Sequence, residues 1–345
     1  MKAFIVFCHP SEDSFTSHVR DAFIKGIEKE DLKSIVEAGF SIKDCPISFL
    51  EELKNTAWKQ NGRGLIEWLF SENLGVIARD ENGKLAGYML FAGPMDGFFG
   101  NCNGAFSPLG CSWILPELAS EQRSDLMSRL LQKGMELLVS KKITSVALSE
   151  PVWDNDISKA LSLNGFGIRC SDTIMKIKDG DFNCRKNCDP SVIFEEVAPG
   201  KNDLIKSLFS ELEEHLASSP CFFPPEEGCF EIWNERYEPK IIVAKADGKL
   251  AGHIAFTDKE GENFVSSSSG VLNICGMFVK KEFRSKGIAD GLLKSVYETA
   301  RKQGFDFLGV DYETLNPNAL HFWTKYFEPY TYSWHRRIDE RILDL

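Results

Sequence analysis

Short runs of hydrophobic residues, separated by polar turns, set out two similar series of elements along the chain. Val76-Ile77-Ala78-Arg79 and Tyr88-Met89-Leu90-Phe91 flank an Asn82-Gly83 turn. Apolar runs joined by Asn-Gly or Asp-Gly predict antiparallel hairpins, because both residue types accept the left-handed backbone that such turns need. About half a chain later, Ile242-Val243-Ala244-Lys245 and His253-Ile254-Ala255-Phe256 flank Asp247-Gly248. A pentapeptide recurs with the pattern, Gly83-Lys84-Leu85-Ala86-Gly87 and then Gly248-Lys249-Leu250-Ala251-Gly252. Such turns are common, so the pentapeptide alone is compatible with chance. The order of neighbouring elements argues for duplication.

A helix-rich stretch precedes each hairpin, at Glu30 to Ala38 and at Asn202 to Leu216. After the first hairpin, Leu126, Leu130, Met135 and Leu138 fall near helical spacing and predict a helix over Gln122 to Ser140. A strand at Ile143 to Leu148 and a helix ending near Asn164-Gly165 follow. After the second hairpin come a strand at Leu272 to Val279, a helix at Ile288 to Lys302, a strand at Phe307 to Tyr312 and a helix at Ala319 to Tyr326. The fold class expected is α/β with a mixed sheet, present as two tandem domains over residues 26–180 and 190–345. The joint falls in the polar segment Asp179 to Pro190. Gly93 to Gly104, rich in Gly and Phe, reads as a mobile loop or a strand connection.

Composition narrows the picture. The 345 residues suit two domains, and 43% hydrophobic with 26% charged residues is ordinary for a globular protein. A formal net charge of −11 argues against nucleic acid as a partner, since phosphate binding needs clustered Lys and Arg. No apolar run reaches the roughly eighteen residues of a membrane span, and the N-terminus lacks the features of a secretion signal. Ten cysteines show no disulfide or zinc framework; Cys184 and Cys188 lie close together without a second pair. Reduced thiols in the cytoplasm are the expectation, with no metal site.

Chemistry concentrates after the strand ending at Val279. Arg284-Ser285-Lys286-Gly287-Ile288-Ala289 leads straight into a helix, whose free N–H groups and dipole favour an anion. Taken alone, the hexapeptide also fits a surface turn with two solvated cations. Beyond the next strand comes Asn316-Pro317-Asn318-Ala319, then Phe322-Trp323 and Tyr326-Phe327. This order of strand, Arg-x-x-Gly-x-Ala loop, helix, strand, Asn-x-x-Ala and aromatic helix resembles the GNAT superfamily of acetyl-CoA-dependent N-acetyltransferases. The resemblance is specific over about the last 75 residues, and weaker but ordered from Leu74 on. It extends to tandem-GNAT bacterial proteins.

The resemblance implies a V-shaped gap between the two central parallel strands. Backbone N–H groups near Met277, Phe278 and Val279 would hold the pantetheine arm of acetyl-CoA. The pyrophosphate would lie on Arg284, Ser285, Lys286, Gly287, Ile288 and Ala289. Asn316 would touch the cofactor, with Ala319 and Trp323 beside it. In that family a Tyr often stands seven residues past the Asn and protonates the leaving thiolate; here that position is Trp323. Indole is a donor that does not act as an acid near neutral pH, so Tyr326, Tyr330 or water would substitute, or no acid is needed, since a thiolate is already a fair leaving group. Glu313 is the candidate base for the attacking amine, with a solvated strand-end carboxylate as its other reading. His321 reads as a helix-surface residue, and Cys275 as a buried structural thiol.

The first half departs from the motif. Leu115 to Ser124 has no Gly before its helix and carries Glu117 and Glu121, while Asp154 takes the place of Asn316 and Leu161 that of Trp323. It reads as a degenerate copy. Residues 1–25, with Phe4-Ile5-Val6-Phe7-Cys8-His9-Pro10, resemble the opening of flavodoxin-like quinone reductases, without the rest of that fold. They are taken as an appended strand and helix, with His9 and His18 unremarkable. The function expected is N-acetyl transfer to a small-molecule amine or peptide; Glu226 and Glu227 would favour a cationic acceptor or simply belong to a solvated loop. A GNAT-fold acetyl-CoA sensor or interaction scaffold is the alternative.

Overall fold

A computed structural model describes residues 23–38, 47, 62–178, 182–259, 261 and 263–345. The N-terminal segment that resembles a flavodoxin opening lies almost wholly outside the described residues.

The chain forms two compact units. Unit 1 begins with β1 (Phe23–Gly26), α1 (Asp31–Ala38) and α2 (Arg63–Ser71). The hairpin β2 (Gly75–Arg79) and β3 (Leu85–Leu90) follows, then β4 (Ala92–Met95), β5 (Asn103–Ser107) and β6 (Ser112–Ile114). The helix α3 (Ser120–Ser140), β7 (Ile143–Pro151) and α4 (Asn155–Leu163) complete this stretch. Antiparallel pairing runs β1-β2-β3-β6, and β5 pairs with β7 in parallel. The segment Gly93 to Gly104 proves to be a strand connection, joining the antiparallel β4 and β5.

Unit 2 contains most of β8 (Gly167–Lys176), then β9 (Ile193–Glu196), α5 (Lys206–Ala217), α6 (Cys229–Tyr237) and the hairpin β10 (Lys240–Ala246) and β11 (Lys249–Thr257). It continues through β12 (Val271–Val279), α7 (Ile288–Gln303), β13 (Phe307–Glu313), α8 (Pro317–Trp323) and β14 (Glu328–Pro329). Its strands pair β9-β10-β11-β12-β13-β8, with β12 and β13 parallel and the other neighbours antiparallel. The final strand, β15 (Thr331–Arg337), belongs to unit 1, where it pairs antiparallel with β7.

The units are therefore not contiguous halves of the sequence. After their second helix, both halves of the chain run into a long strand, β8 or β15. Each of these pairs with the second parallel strand of the other half, β13 or β7. Duplication is visible in backbone detail. Both hairpins carry a β-bulge at the same place, between Ala78 and Arg79 and between Ala244 and Lys245. In each, the alanine of the repeated pentapeptide, Ala86 or Ala251, is the extra residue.

Packing follows the predicted periodicities. In α3 the buried positions Leu126, Leu130, Leu131, Met135 and Leu138 form one stripe over the sheet, in a core that also takes Trp334 from β15. In α7 the stripe is Ile288, Leu292, Leu293, Val296 and Ala300, against Ile242, Ile254, Leu272 and Val310. The opposite face of the second sheet is closed by Leu208 of α5 and Phe230 of α6 over Val243, Ala255 and Phe278.

Because the buried Trp334 brings the chain's end into the first core, Trp334→Ala should lower the unfolding free energy by about 3 kcal/mol. Urea unfolding followed by far-UV circular dichroism measures this; an unchanged midpoint would show that β15 contributes little to unit 1.

Candidate cofactor site

β12 and β13 pair in parallel from Val271 and Phe307 up to Ile274 and Val310, where the ladder stops. The cause lies on the other edge of β12. There the register with β11 passes from Gly276 to Ile274, so Cys275 is an extra residue. A bulge bends and twists its strand. Beyond it β12 follows β11 while β13 stays with β8, and the edge of β12 that faces the split has no strand beside it. The Cys275 carbonyl, displaced by the bulge, accepts a hydrogen bond from the Trp233 indole at 2.9 Å. Burial holds the Cys275 thiol in its neutral form, as expected of a structural cysteine.

At the wide end of the split lies a cavity of about 510 Å³, within the range of small-molecule sites. Met277, Phe278, Val279, Arg284, Ser285, Gly287, Ile288, Ala289, Asn316, Ala319 and Trp323 all line it. Two left-handed residues, Ser285 at φ 60° and Gly287 at φ 76°, turn the loop tightly into α7. The first helical bond runs from the Gly291 N–H to the Gly287 carbonyl, so the amides before it have no intrahelical acceptor. The Arg284 Nε donates to the Val279 carbonyl at 3.0 Å, which fixes the guanidinium and leaves its terminal nitrogens for an anion. The buried Asn316 caps α8, its Oδ1 accepting from the Asn318 and Ala319 amides at 3.2 and 3.4 Å. Its NH₂ group remains as a donor. Trp323 is locked edge-on between Phe322 and Phe327, with ring centroids 5.0 and 5.4 Å away.

Three expected residues stand outside the cavity lining. The Lys286 ammonium sits 5.3 Å from the centre of the Phe283 ring. Glu313 ends β13, where its charge adds to burial in raising the thiol pKa of Cys170 and of Cys221. The Tyr326 hydroxyl donates to Asp290 and accepts from the Arg185 amide at 2.8 Å. Burial, with the Asp290 carboxylate second, holds that phenol above its ordinary pKa. Glu226 and Glu227 are exposed in the loop before α6.

The sequence reading missed the cavity residues Arg185 and Lys186, which precede the domain, and Lys325 and His321 of the α8 region. In the sequence His321 reads only as a helix-surface residue, and Lys325 is not singled out. Nothing local marked Arg185 and Lys186, because their approach to α7 is tertiary. Arg185, Lys186, Arg284 and Lys325 give the cavity four cationic side chains against a single carboxylate, Asp290, in a chain of net charge −11. None of the four makes an ion pair among the described residues. The concentration of positive charge fits a polyanion.

Unit 1 shows what the same architecture does without the motif. Asp154 caps α4 through the Ile157 amide at 3.2 Å, the structural counterpart of Asn316. Its carboxylate also pairs with the buried Arg123, which bonds Asp156 at 3.1 Å and the Ile114 and Leu115 carbonyls at 3.1 and 3.3 Å. The guanidinium fills the place between strand end and helix start from within. What remains is a space of about 30 Å³, enough for one water. Glu150 borders it, buried, with Ser112 donating to its carboxylate. Burial, reinforced by the Asp154 charge, pushes the Glu150 pKa up to about 8.

Residues 206–328 match the acetyltransferase (GNAT) family. A comparison with curated protein sequences returns no match. Among solved structures, a GCN5-related N-acetyltransferase from Sphaerobacter thermophilus is similar over 92% of this chain and 96% of its own, at 12% identity and a TM-score of 0.54. A glucosamine N-acetyltransferase region of a fungal multi-domain GH3 β-N-acetylglucosaminidase is similar over 91% of this chain and 38% of its own, at 15% identity and a TM-score of 0.52. A tandem GNAT protein from the clavulanic acid biosynthesis pathway is similar over 92% of this chain and 98% of its own, at 13% identity and a TM-score of 0.45. The mixed α/β fold of this chain is thus that of GCN5-related N-acetyltransferases.

Two measurements follow from these geometries. Gly287 adopts φ 76°, and a Cβ there would stand 2.4 Å from the Asn187 carbonyl oxygen, so Gly287→Ala should cost about 1–3 kcal/mol in urea unfolding. For Glu150, the folded protein keeps a proton that the unfolded chain releases between about pH 4.5 and pH 8. Stability therefore falls as pH rises through that window. Glu150→Gln should remove this part of the slope, and parallel unfolding curves for wild type and variant from pH 5 to 8.5 would exclude it.

Proposed function

Since residues 206–328 match the acetyltransferase (GNAT) family, we propose that the chain moves an acetyl group from acetyl-CoA to a primary amine of a small molecule or peptide. The observation that carries this reading is the meeting of three features in one cavity: a splayed strand edge, a helix start with free amides, and cations without carboxylate partners. A CoA thioester needs all three, as it combines a thioester carbonyl, an extended amide-bearing arm and several phosphates.

The residues present fit acetyl-CoA. Arg284 and the amides from Gly287 to Ala289 would bind pyrophosphate; the exposed edge of β12 between Cys275 and Val279 would pair with the pantetheine amides. Bound acetyl-CoA supplies an activated acyl carbon and a thiolate leaving group. The amides of the bulged strand are fixed donors and polarise the thioester carbonyl without reorganising. The Asn316 NH₂ orients the arm, and Trp323 walls the cavity. An ammonium has no lone pair, so a base must take its proton before the nitrogen attacks. We assign this role to Glu313, acting through water because it does not line the cavity. Tyr326 can serve as the acid only by releasing Asp290, so we assign thiolate protonation to water.

A second reading, an acetyl-CoA sensor or scaffold without turnover, is favoured by one specific observation. Trp323 occupies the place of the usual acid, and the Tyr326 phenol is already bonded to Asp290.

Calorimetric titration of the purified protein with acetyl-CoA, beside thiol-release assays across a panel of amines, separates these readings. Binding with acetyl transfer supports the enzyme, binding without any transfer supports the sensor, and absence of binding removes both. Arg284→Ala should raise the Kd for acetyl-CoA about tenfold or more, the loss of a charge-assisted hydrogen bond. An unchanged Kd would remove Arg284 from the phosphate site.

A further inference from the structure

Residues 182–188 lie between the two sequence halves, before the segment that matches the acetyltransferase family. They are nevertheless tied to the start of α7 by every means a loop has. The Phe182 ring packs against Tyr297 and Tyr326, with centroids 5.1 and 5.2 Å apart. The Lys186 amide donates to the Asp290 carboxylate at 2.9 Å, and the Arg185 amide to the Tyr326 hydroxyl at 2.8 Å. The Cys184 thiol donates to the Asp290 carbonyl at 3.8 Å. Asn187 and Cys188 pass so near Gly287 that a Cβ there would stand 2.4 Å from one backbone and 2.8 Å from the other.

At Arg185 and Lys186 the bonds use the backbone amides and leave the side chains free. Arg185 and Lys186 are exposed, line the cavity, and make no ion pair among the described residues. Asp290 would repel a phosphate if it faced the cavity unpaired. Instead its carboxylate is engaged, accepting hydrogen bonds from the Lys186 amide and the Tyr326 hydroxyl that hold it against the strap. The helix start, its loop and Arg284 already match the charge of a pyrophosphate. Two more cations on a fixed strap match a further phosphate group.

We propose that this strap is part of the cofactor site, with Arg185 and Lys186 recognising the 3′-phosphate that distinguishes CoA from dephospho-CoA, and with Asp290 and Tyr326 as its anchors. The proposal rests on the acetyl-CoA reading given above. It gives Tyr326 a positioning role, and it makes the segment between the two halves a functional element.

The test compares CoA and dephospho-CoA by calorimetry, on the full chain and on the double variant Arg185→Ala/Lys186→Ala. Both side chains are exposed and unpaired, so the variant should melt at the wild-type temperature. Wild type should bind CoA at least tenfold more tightly than dephospho-CoA. The double variant should lose that preference, weakening for CoA while its affinity for dephospho-CoA stays within about twofold. Tyr326→Phe, which removes the acceptor of the Arg185 amide, should reduce the preference in the same direction. Equal weakening toward both ligands, or an unchanged preference, overturns the proposal. If wild type binds neither ligand, the acetyl-CoA reading itself fails, a result distinct from the other two.

Discussion

One extra residue in one strand sets the site. With Cys275 bulged out of the β11 ladder, β12 cannot stay beside β13 beyond Ile274, and the two parallel strands part. The cavity, the unpaired strand edge and the placing of the α7 start opposite Asn316 all follow from that divergence. The bulge is itself held, since Trp233 of α6 bonds the displaced carbonyl. A helix on one face of the sheet thus stabilises the opening that the ligand would use.

Unit 1 repeats the plan and closes it. In place of a single bulged residue it has a break between β5 and β6, Pro108 to Cys111, with the Tyr88 hydroxyl bonded to the Gly110 carbonyl at 3.0 Å. Where unit 2 keeps a helix start open, unit 1 places Arg123 against Asp154 and Asp156. A buried ion pair of this kind contributes little net stability, but removing one partner leaves the other charge stranded. The pair satisfies within the chain a charge requirement that unit 2 leaves open.

Much of this was legible in the sequence. Apolar periodicity located the hairpins and the long helices to within a few residues, because burial on one face dictates spacing. The Arg284 to Ala289 loop and Asn316 were legible through the motif that resembles the GNAT superfamily, and the structure adds the local backbone reasons for their types: Gly287 takes a left-handed turn and Asn316 caps α8. Tertiary relations were not legible. Nothing in the spacing shows that β8 pairs with β13 and β15 with β7, since either strand has a pattern suited to a central position. Nor does it show that Arg185 and Lys186 reach the cavity, or that the Tyr326 hydroxyl faces Asp290. Gly287 is instructive here: the sequence suggests close approach by a phosphate, and the structure adds close approach by the chain itself at Asn187.

The exchange of final strands bears on how the chain is made. β7 gains its antiparallel neighbour from Thr331–Arg337, synthesised long after it. Synthesis is vectorial, and an N-terminal domain ordinarily folds while later residues are still being added. Here unit 1 must wait with one edge of β7 unpaired until Thr331–Arg337 have left the ribosome. An unpaired edge is a template for pairing with other chains. The arrangement therefore ties the first unit's completion to the second's, and a ribosome that stalls anywhere before Trp334 leaves a nascent chain with an open sheet.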